Sequence, residues 1–189
     1  MSPFGNPPGW CNHLNVGLID VLAPSPRHFN IQTVASNLAG KFRWCGLATR
    51  SGRYITVAQH CVAVADAAMY LGQHNVCHLR TLALLHELDE VFLPDIPTPL
   101  KAAFGAGVAA LRAQHFRAGC ERCGLDPNDP LWGEVKELDR DCAEEEYRAL
   151  LSTGIVRNTH FAAHDFTRPW SPKVAREVFL TEARNLGIG

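Results

Sequence analysis

The stretch VCHLRTLALLHELDEVFLP, residues 76–94, decides the fold of this chain. Leu82, Leu85 and Leu88 recur at helical spacing, and Ala83 and Leu84 fill the flank. A helix over residues 76–92 is therefore apolar nearly all round, the mark of a central, buried helix. Pro94, Pro97 and Pro99 end it and impose an extended loop. The same helix also carries His86, Glu87 and Glu90. Polar groups in such a place must be hydrogen-bonded, paired or metal-bound, because an unsatisfied buried charge is costly. Glu90 follows His86 by four residues and Glu87 by three, so all three project from one side of a helix. Taken alone, the run from His86 to Glu90, with Asp89, reads equally well as an exposed polar edge.

Working outward, Asn30 is placed to cap a helix in which Ile31, Val34, Ala35, Leu38, Ala39 and Phe42 repeat at helical spacing, ending near Arg43 and Trp44. Thr56-Val57-Ala58-Gln59 has the form of a capping box, so a second helix opens there and puts His60 in its first turn, with Gly72 as its stop. A fourth helix spans residues 101–123 and is weakened by Gly105, Gly107 and Gly119. Asp129-Pro130 starts a fifth that runs to about Leu151, followed by Gly154, and Ser171-Pro172 starts a last one reaching about Leu186. Residues 1–29 hold five prolines and read as an irregular arm, with one apolar stretch at residues 16–22 suited to a short strand or turn. No β-alternation is long enough to build a sheet. The expectation is an all-α bundle of about six main helices over residues 30–189, with the arm packed against it.

The 189 residues are 47% hydrophobic and 20% charged, with a formal net charge of -1, so no broad basic field suits a nucleic-acid polymer. Residues 1–11 are rich in Pro and Gly and lack the apolar core of a signal peptide, and no apolar run reaches membrane-spanning length. Seven cysteines, an odd number, fall partly inside apolar helical stretches. A cytoplasmic protein with reduced thiols and no membrane contact is the expectation.

Asp139 lies between Leu138 and Cys142, beside the apolar stripe of the fifth helix. His60, His86, Glu87 and Asp139 thus form a set of metal-ligand residue types spread over three helices. Other polar clusters are weaker. His164-Asp165 sits in a predicted loop, and HFAAH (residues 160–164) lacks the glutamate of a zinc-protease helix. Cys120-x-x-Cys123 has no second pair at zinc-ribbon spacing. His74 and His78 read as solvated helix-end residues. The acidic run at 144–146 reads as a solvated face, one member of which could support the site.

In its order of segments the chain resembles the HD-domain metal-dependent phosphohydrolases, specifically small bacterial and phage-type 5′-deoxynucleotidases and deoxynucleoside triphosphohydrolases. The resemblance covers most of the chain. It rests on residues 17–24 (GLIDVLAP), Arg43-Trp44, residues 54–60 (YITVAQH), Leu84-Leu85-His86-Glu87, residues 95–101 (DIPTPLK), Val135-Lys136-Glu137-Leu138-Asp139 and Pro169-Trp170-Ser171-Pro172. It implies one divalent metal ion, with Mn, Co, Zn, Mg and Fe as candidates, held by His60, His86, Glu87 and Asp139. It also implies Glu90 and Asp95 as catalytic residues and Arg43, Trp44, Gly46, Pro97, Pro99 and Lys101 as the substrate-binding set. The implied function is deoxynucleotide hydrolysis in nucleotide-pool control, by a homo-oligomer. One position departs from the pattern, since the family's defining dipeptide is His-Asp and this chain has His86-Glu87. Glutamate also ligates through oxygen but carries one more methylene. It can ligate with an altered metal preference, retreat behind the ligands, or leave a protein that binds nucleotide without efficient turnover.

Overall fold

Asn30 starts the first helix as its residue type predicts, its side-chain oxygen accepting a hydrogen bond from the Thr33 amide at 3.0 Å. The structure is a computed structural model and describes residues 9–13, 16–71, 75–150 and 158–189. Helix α1, Ile31–Ala39, buries Val34, Ala35 and Leu38. It stops before Gly40 and does not continue to Arg43–Trp44 as the periodicity suggested. The backbone of residues 41–43 is taken by another partner. The Arg43 amide donates to the Ile55 carbonyl at 2.9 Å, the Val57 amide donates to the Lys41 carbonyl at 3.0 Å, and Phe42 bridges Thr56.

Helix α2, Val57–Ala67, is capped by Thr56, whose hydroxyl accepts from the Gln59 amide at 3.1 Å. Gln59 does not return the bond that a full capping box would have. Its side-chain oxygen accepts from the Trp170 amide at 3.0 Å and so ties down the chain before the last helix. Residues 57–65 are all buried. Apart from Gln59 and His60 these are alanine, valine and cysteine, whose small side chains let neighbours approach from every direction, so α2 is the central helix. The stretch at 76–92 is buried beside it, with Leu79, Leu82, Ala83, Leu84, Leu85, Leu88 and Val91 all in the core. Helix α3, Val76–Leu84, buries Leu79, Leu82, Ala83 and Leu84 but exposes Cys77.

Helix α3 also ends eight residues earlier than the sequence pattern indicated. The His86 imidazole donates through Nδ1 to the Ala83 carbonyl at 2.6 Å. The chain then tightens into a 3-10 turn at Leu88–Glu90, in which the Glu90 amide bonds the Glu87 carbonyl at 3.0 Å. His86, Glu87 and Glu90 therefore sit on a compact turn and not on a regular helix face.

Helix α4, Thr98–Cys123, starts three residues before Lys101 and is broken at Gly105, which adopts φ 71°, ψ -162°. This region is open essentially only to glycine. Helix α5, Trp132–Leu150, follows a turn in which Asp129 accepts the Leu131 amide at 2.9 Å, so it begins slightly later than Asp129-Pro130 suggested. Helix α6, Pro172–Asn185, is capped by Ser171. In the arm, strand β1, Trp10–His13, pairs antiparallel with β2, Gly17–Asp20, so the stretch at 16–22 does form a strand. His115 of α4 pins the arm by donating through Nε2 to the Val21 carbonyl at 2.8 Å. The fold is all-α, with the ribbon as a minor addition. Among the described residues no helix is long and apolar enough to cross a membrane. Gly72, His74, Leu151 and Gly154 lie outside the described residues.

Gly119 has a packing role that composition conceals. A Cβ placed there would lie 2.9 Å from the Leu88 Cβ, so α4 rests directly on the turn that carries the candidate site. In an open helix Gly119→Ala would stabilise by about 1 kcal/mol. Against Leu88 the overpacking costs about 1–3 kcal/mol. The expected result is a melting temperature lowered by a few degrees, roughly 2–4 °C per kcal/mol; an increase would show that the contact is not tight.

Candidate metal centre

Three elements converge on one point. His60 comes from the first turn of α2, His86 and Glu87 from the turn after α3, and Asp139 from α5. One nitrogen or oxygen from each of these four residues lies within 4.8 Å of all the others. The His60 and His86 Nε2 atoms are 3.2 Å apart. Asp139 Oδ1 is 2.9 Å from the first and 3.8 Å from the second. Glu87 Oε1 is 3.7 Å from His86 Nε2.

The far sides of both rings show which nitrogen carries hydrogen. His86 Nδ1 faces the Ala83 carbonyl and His60 Nδ1 faces Glu146 Oε1 at 2.9 Å, and both partners can only accept. In the neutral rings each Nδ1 therefore holds the hydrogen, and each Nε2 points a lone pair into the shared space. Two lone pairs at 3.2 Å, with carboxylate oxygens beside them, demand positive charge between them, either a proton or a cation. Holding the outer nitrogen with an acceptor is also how metal-ligating histidines are oriented. The donor set of two imidazoles and two carboxylates fits a divalent ion.

The electrostatics follow the same logic. Burial works against charge on His60, but Glu146 and a hydrogen bond to Asp139 raise its pKa well above the usual value. Asp139 is also disfavoured by desolvation, yet the hydrogen bonds from His60 and His86 hold it far below the usual carboxylate range. Its side chain is 34% exposed, so the cluster opens to solvent on that side.

The remaining predicted residues distribute as follows. Arg43 lies against the centre, 3.5 Å from Glu87 Oε1 and 2.7 Å from Glu146 Oε2. Burial penalises its charge, but those two carboxylates more than offset the penalty, so it stays protonated. Trp44 donates through Nε1 to Glu146 Oε2 at 2.9 Å and packs against Tyr147 with ring centroids 5.6 Å apart. Gly46 closes a left-handed turn, Trp44–Gly46, with φ values of 58°, 54° and 72°. A left-handed conformation costs a non-glycine residue roughly 1–2 kcal/mol, so Trp44 and Cys45 are held there by their surroundings. A Cβ at Gly46 would meet nothing within 4 Å, so the turn is open on that side.

Glu90 is buried on the Leu88–Glu90 turn, 3.2 Å from Arg112 Nη1, while Arg112 Nη2 holds Asp89 at 2.6 Å. Burial, then the charges of Glu87, Asp95 and Asp89, push Glu90 up to about 8. Lys41 donates to the Glu90 and Val91 carbonyls and braces this turn from below; desolvation lowers its pKa to about 8. Asp95 is half-buried on the following loop, and Pro97 precedes the first turn of α4. The side chains of Pro99 and Lys101 lie outside the described residues.

Two further contributors had weak signals in the sequence and a third had none. Glu146 and Cys142 follow Asp139 by seven and three residues, so all three share one face of α5. The run at 144–146 is not a solvated face, because Glu145 and Glu146 are buried and only Glu144 is exposed. His60, Cys142 and Glu146 form a second group with ligand atoms within 4.8 Å. Arg112 had no local signal, since it meets Asp89 and Glu90 only through tertiary packing. The decoys are engaged elsewhere: His164 Nε2 lies 3.1 Å from Asp66, His160 stacks on Tyr70, and His78 pairs with Asp129 at 2.7 Å. His78 is thus half-buried and paired, not merely a solvated helix end.

Glu146 links the site to acid stability. Desolvation opposes its charge, but Arg43 and His60 lower its pKa from 4.5 to about 2. Its carboxylate therefore adds stability that is complete above about pH 4.5 and is lost as pH falls towards 2. Urea unfolding at pH 7, 5 and 3 should show Glu146→Gln less stable than wild type at pH 7, with the gap clearly narrower at pH 3. A constant gap would remove this linkage.

A scan of protein-family models finds no match to the chain. The chain is similar to an uncharacterized protein of Rhodobacter capsulatus, 34% identical over 115 residues, which cover 58% of this chain. The matched segment spans 58% of that relative's length.

Proposed function

We propose that this protein is a divalent-metal-dependent phosphohydrolase that acts on deoxynucleotides. The observation that carries the reading is the pair of Nε2 atoms 3.2 Å apart, each ring fixed from behind by an acceptor, with two carboxylates alongside. The resemblance of the sequence to HD-domain phosphohydrolases supplies the reaction class.

His60, His86, Glu87 and Asp139 would hold the ion. When bound, it supplies polarisation of a phosphoryl oxygen and a more acidic water. The chain's own groups supply the remainder. Glu90, whose carboxyl is raised by burial, orients the attacking water and in its ionised form accepts the water's proton. Arg112 keeps that carboxylate in place from α4. Arg43 brings a permanent positive charge to the edge of the centre, where a phosphate is stabilised. Asp95 on the adjoining loop helps protonate or position the leaving 5′ oxygen. Trp44 packs against the deoxyribose and crowds a 2′-hydroxyl.

A second reading, nucleotide binding without efficient turnover, is favoured by the ion pair between Glu87 and Arg43, which competes for the carboxylate. Two measurements separate the readings. Purified protein with Mn²⁺, Co²⁺ or Mg²⁺, offered a panel of deoxynucleoside mono- and triphosphates, should release phosphate or triphosphate. His60→Ala, His86→Ala and Asp139→Ala should each lower the rate at least about a hundredfold, the upper end of the loss seen when only a residue orienting a metal ligand is removed. Inactivity of folded wild type with every metal would end the hydrolase proposal. Glu87→Asp should leave activity equal or lower, whereas a gain from nothing would establish the binding-only alternative.

A further inference from the structure

The most heavily engaged side chain near the centre belongs to a residue with no assigned role. Glu146 is completely buried and accepts three hydrogen bonds from charged or aromatic partners. His60 Nδ1 donates to Oε1 at 2.9 Å, while Arg43 Nε and Trp44 Nε1 donate to Oε2 at 2.7 and 2.9 Å. One oxygen serves the candidate metal centre and the other serves the left-handed turn Trp44–Gly46, which contributes none of the four converging ligands.

We propose that Glu146 is a positioning residue that couples metal affinity to the conformation of the Trp44–Gly46 turn. The inference rests on the metal reading of the site. Only an acceptor at His60 Nδ1 leaves the His60 Nε2 lone pair directed at the ion. The two carboxylate oxygens share one rigid plane, so Oε1 keeps its place only while Oε2 is held by Arg43 and Trp44. The turn in turn needs Glu146, because Trp44 and Cys45 occupy backbone conformations that non-glycine residues rarely adopt unless tertiary bonds hold them. Coupling of this kind is reciprocal: a turn held in place strengthens ion binding, and a bound ion steadies the turn.

The effect of Glu146→Gln follows from the chemistry of the amide. Arg43 and Trp44 only donate, so the single amide oxygen must serve them. The NH₂ group then faces His60 Nδ1, forces that nitrogen to accept, and moves the ring hydrogen to Nε2. A protonated Nε2 cannot bind a cation. Trp44→Phe is milder, removing one donor to Oε2 while keeping an aromatic ring and leaving all four candidate ligands untouched.

The test is titration of the full-length protein with Mn²⁺ by calorimetry, together with tryptophan fluorescence. Glu146→Gln should weaken Mn²⁺ binding by about 10- to 100-fold, the range for removing a ligand's supporting partner. Trp44→Phe should weaken it by roughly threefold or more, on the scale of ordinary coupling between sites. In wild type, Mn²⁺ should alter tryptophan emission, and that change should vanish in Trp44→Phe. If Glu146→Gln does not fold, Trp44→Phe decides by itself. Unchanged Mn²⁺ affinity in Trp44→Phe, or an undiminished fluorescence response in it, overturns the coupling while leaving the metal reading intact. Wild type that binds no Mn²⁺ overturns both.

Discussion

Two imidazole nitrogens cannot hold lone pairs towards each other at 3.2 Å without positive charge between them, and the surroundings of His60 and His86 follow from that constraint. Acceptors behind the rings, the Ala83 carbonyl and Glu146, point both lone pairs inward. Asp139 and Glu87 add negative oxygens around the same point. Arg43 limits the accumulated negative charge, which would otherwise be prohibitive in a buried setting.

The backbone is interrupted wherever this cluster requires it. Helix α1 ends early because residues 41–43 bond to the segment entering α2, and this brings Arg43 and Trp44 to the centre. Helix α3 ends where His86 takes the Ala83 carbonyl, and the resulting 3-10 turn directs His86 and Glu87 at His60 while Glu90 meets Arg112. Helix α4 supports that turn twice, with Gly119 against Leu88 and Arg112 against Asp89 and Glu90. Local irregularity and long-range contact thus have the same origin, because each departure from regular helix frees a group that a distant segment then satisfies.

Glu146 shows how a supporting residue can join two otherwise separate features. Its carboxylate lies between α2 and the turn after α1, and its position on α5 sets the distance between them. His60 bonds one oxygen of that carboxylate and Trp44 of the left-handed turn bonds the other, so the carboxylate is the physical connection between them.

Much of this was legible in the residues themselves. Caps at Asn30, Thr56 and Ser171 and the helical spacing of apolar side chains marked α1, α2 and α6, because capping and amphipathicity are local effects. The four residues that converge were identifiable by type and by resemblance. Other features depended on contacts between distant segments. The burial of α2 on every side, the early stop of α3, the burial of Glu146 within an acidic run and the approach of Arg112 to Glu90 were settled by packing. Apolar periodicity records which side chains avoid water, but a backbone carbonyl's final partner, and which carboxylate of several is taken out of solvent, depend on the three-dimensional neighbour that arrives there.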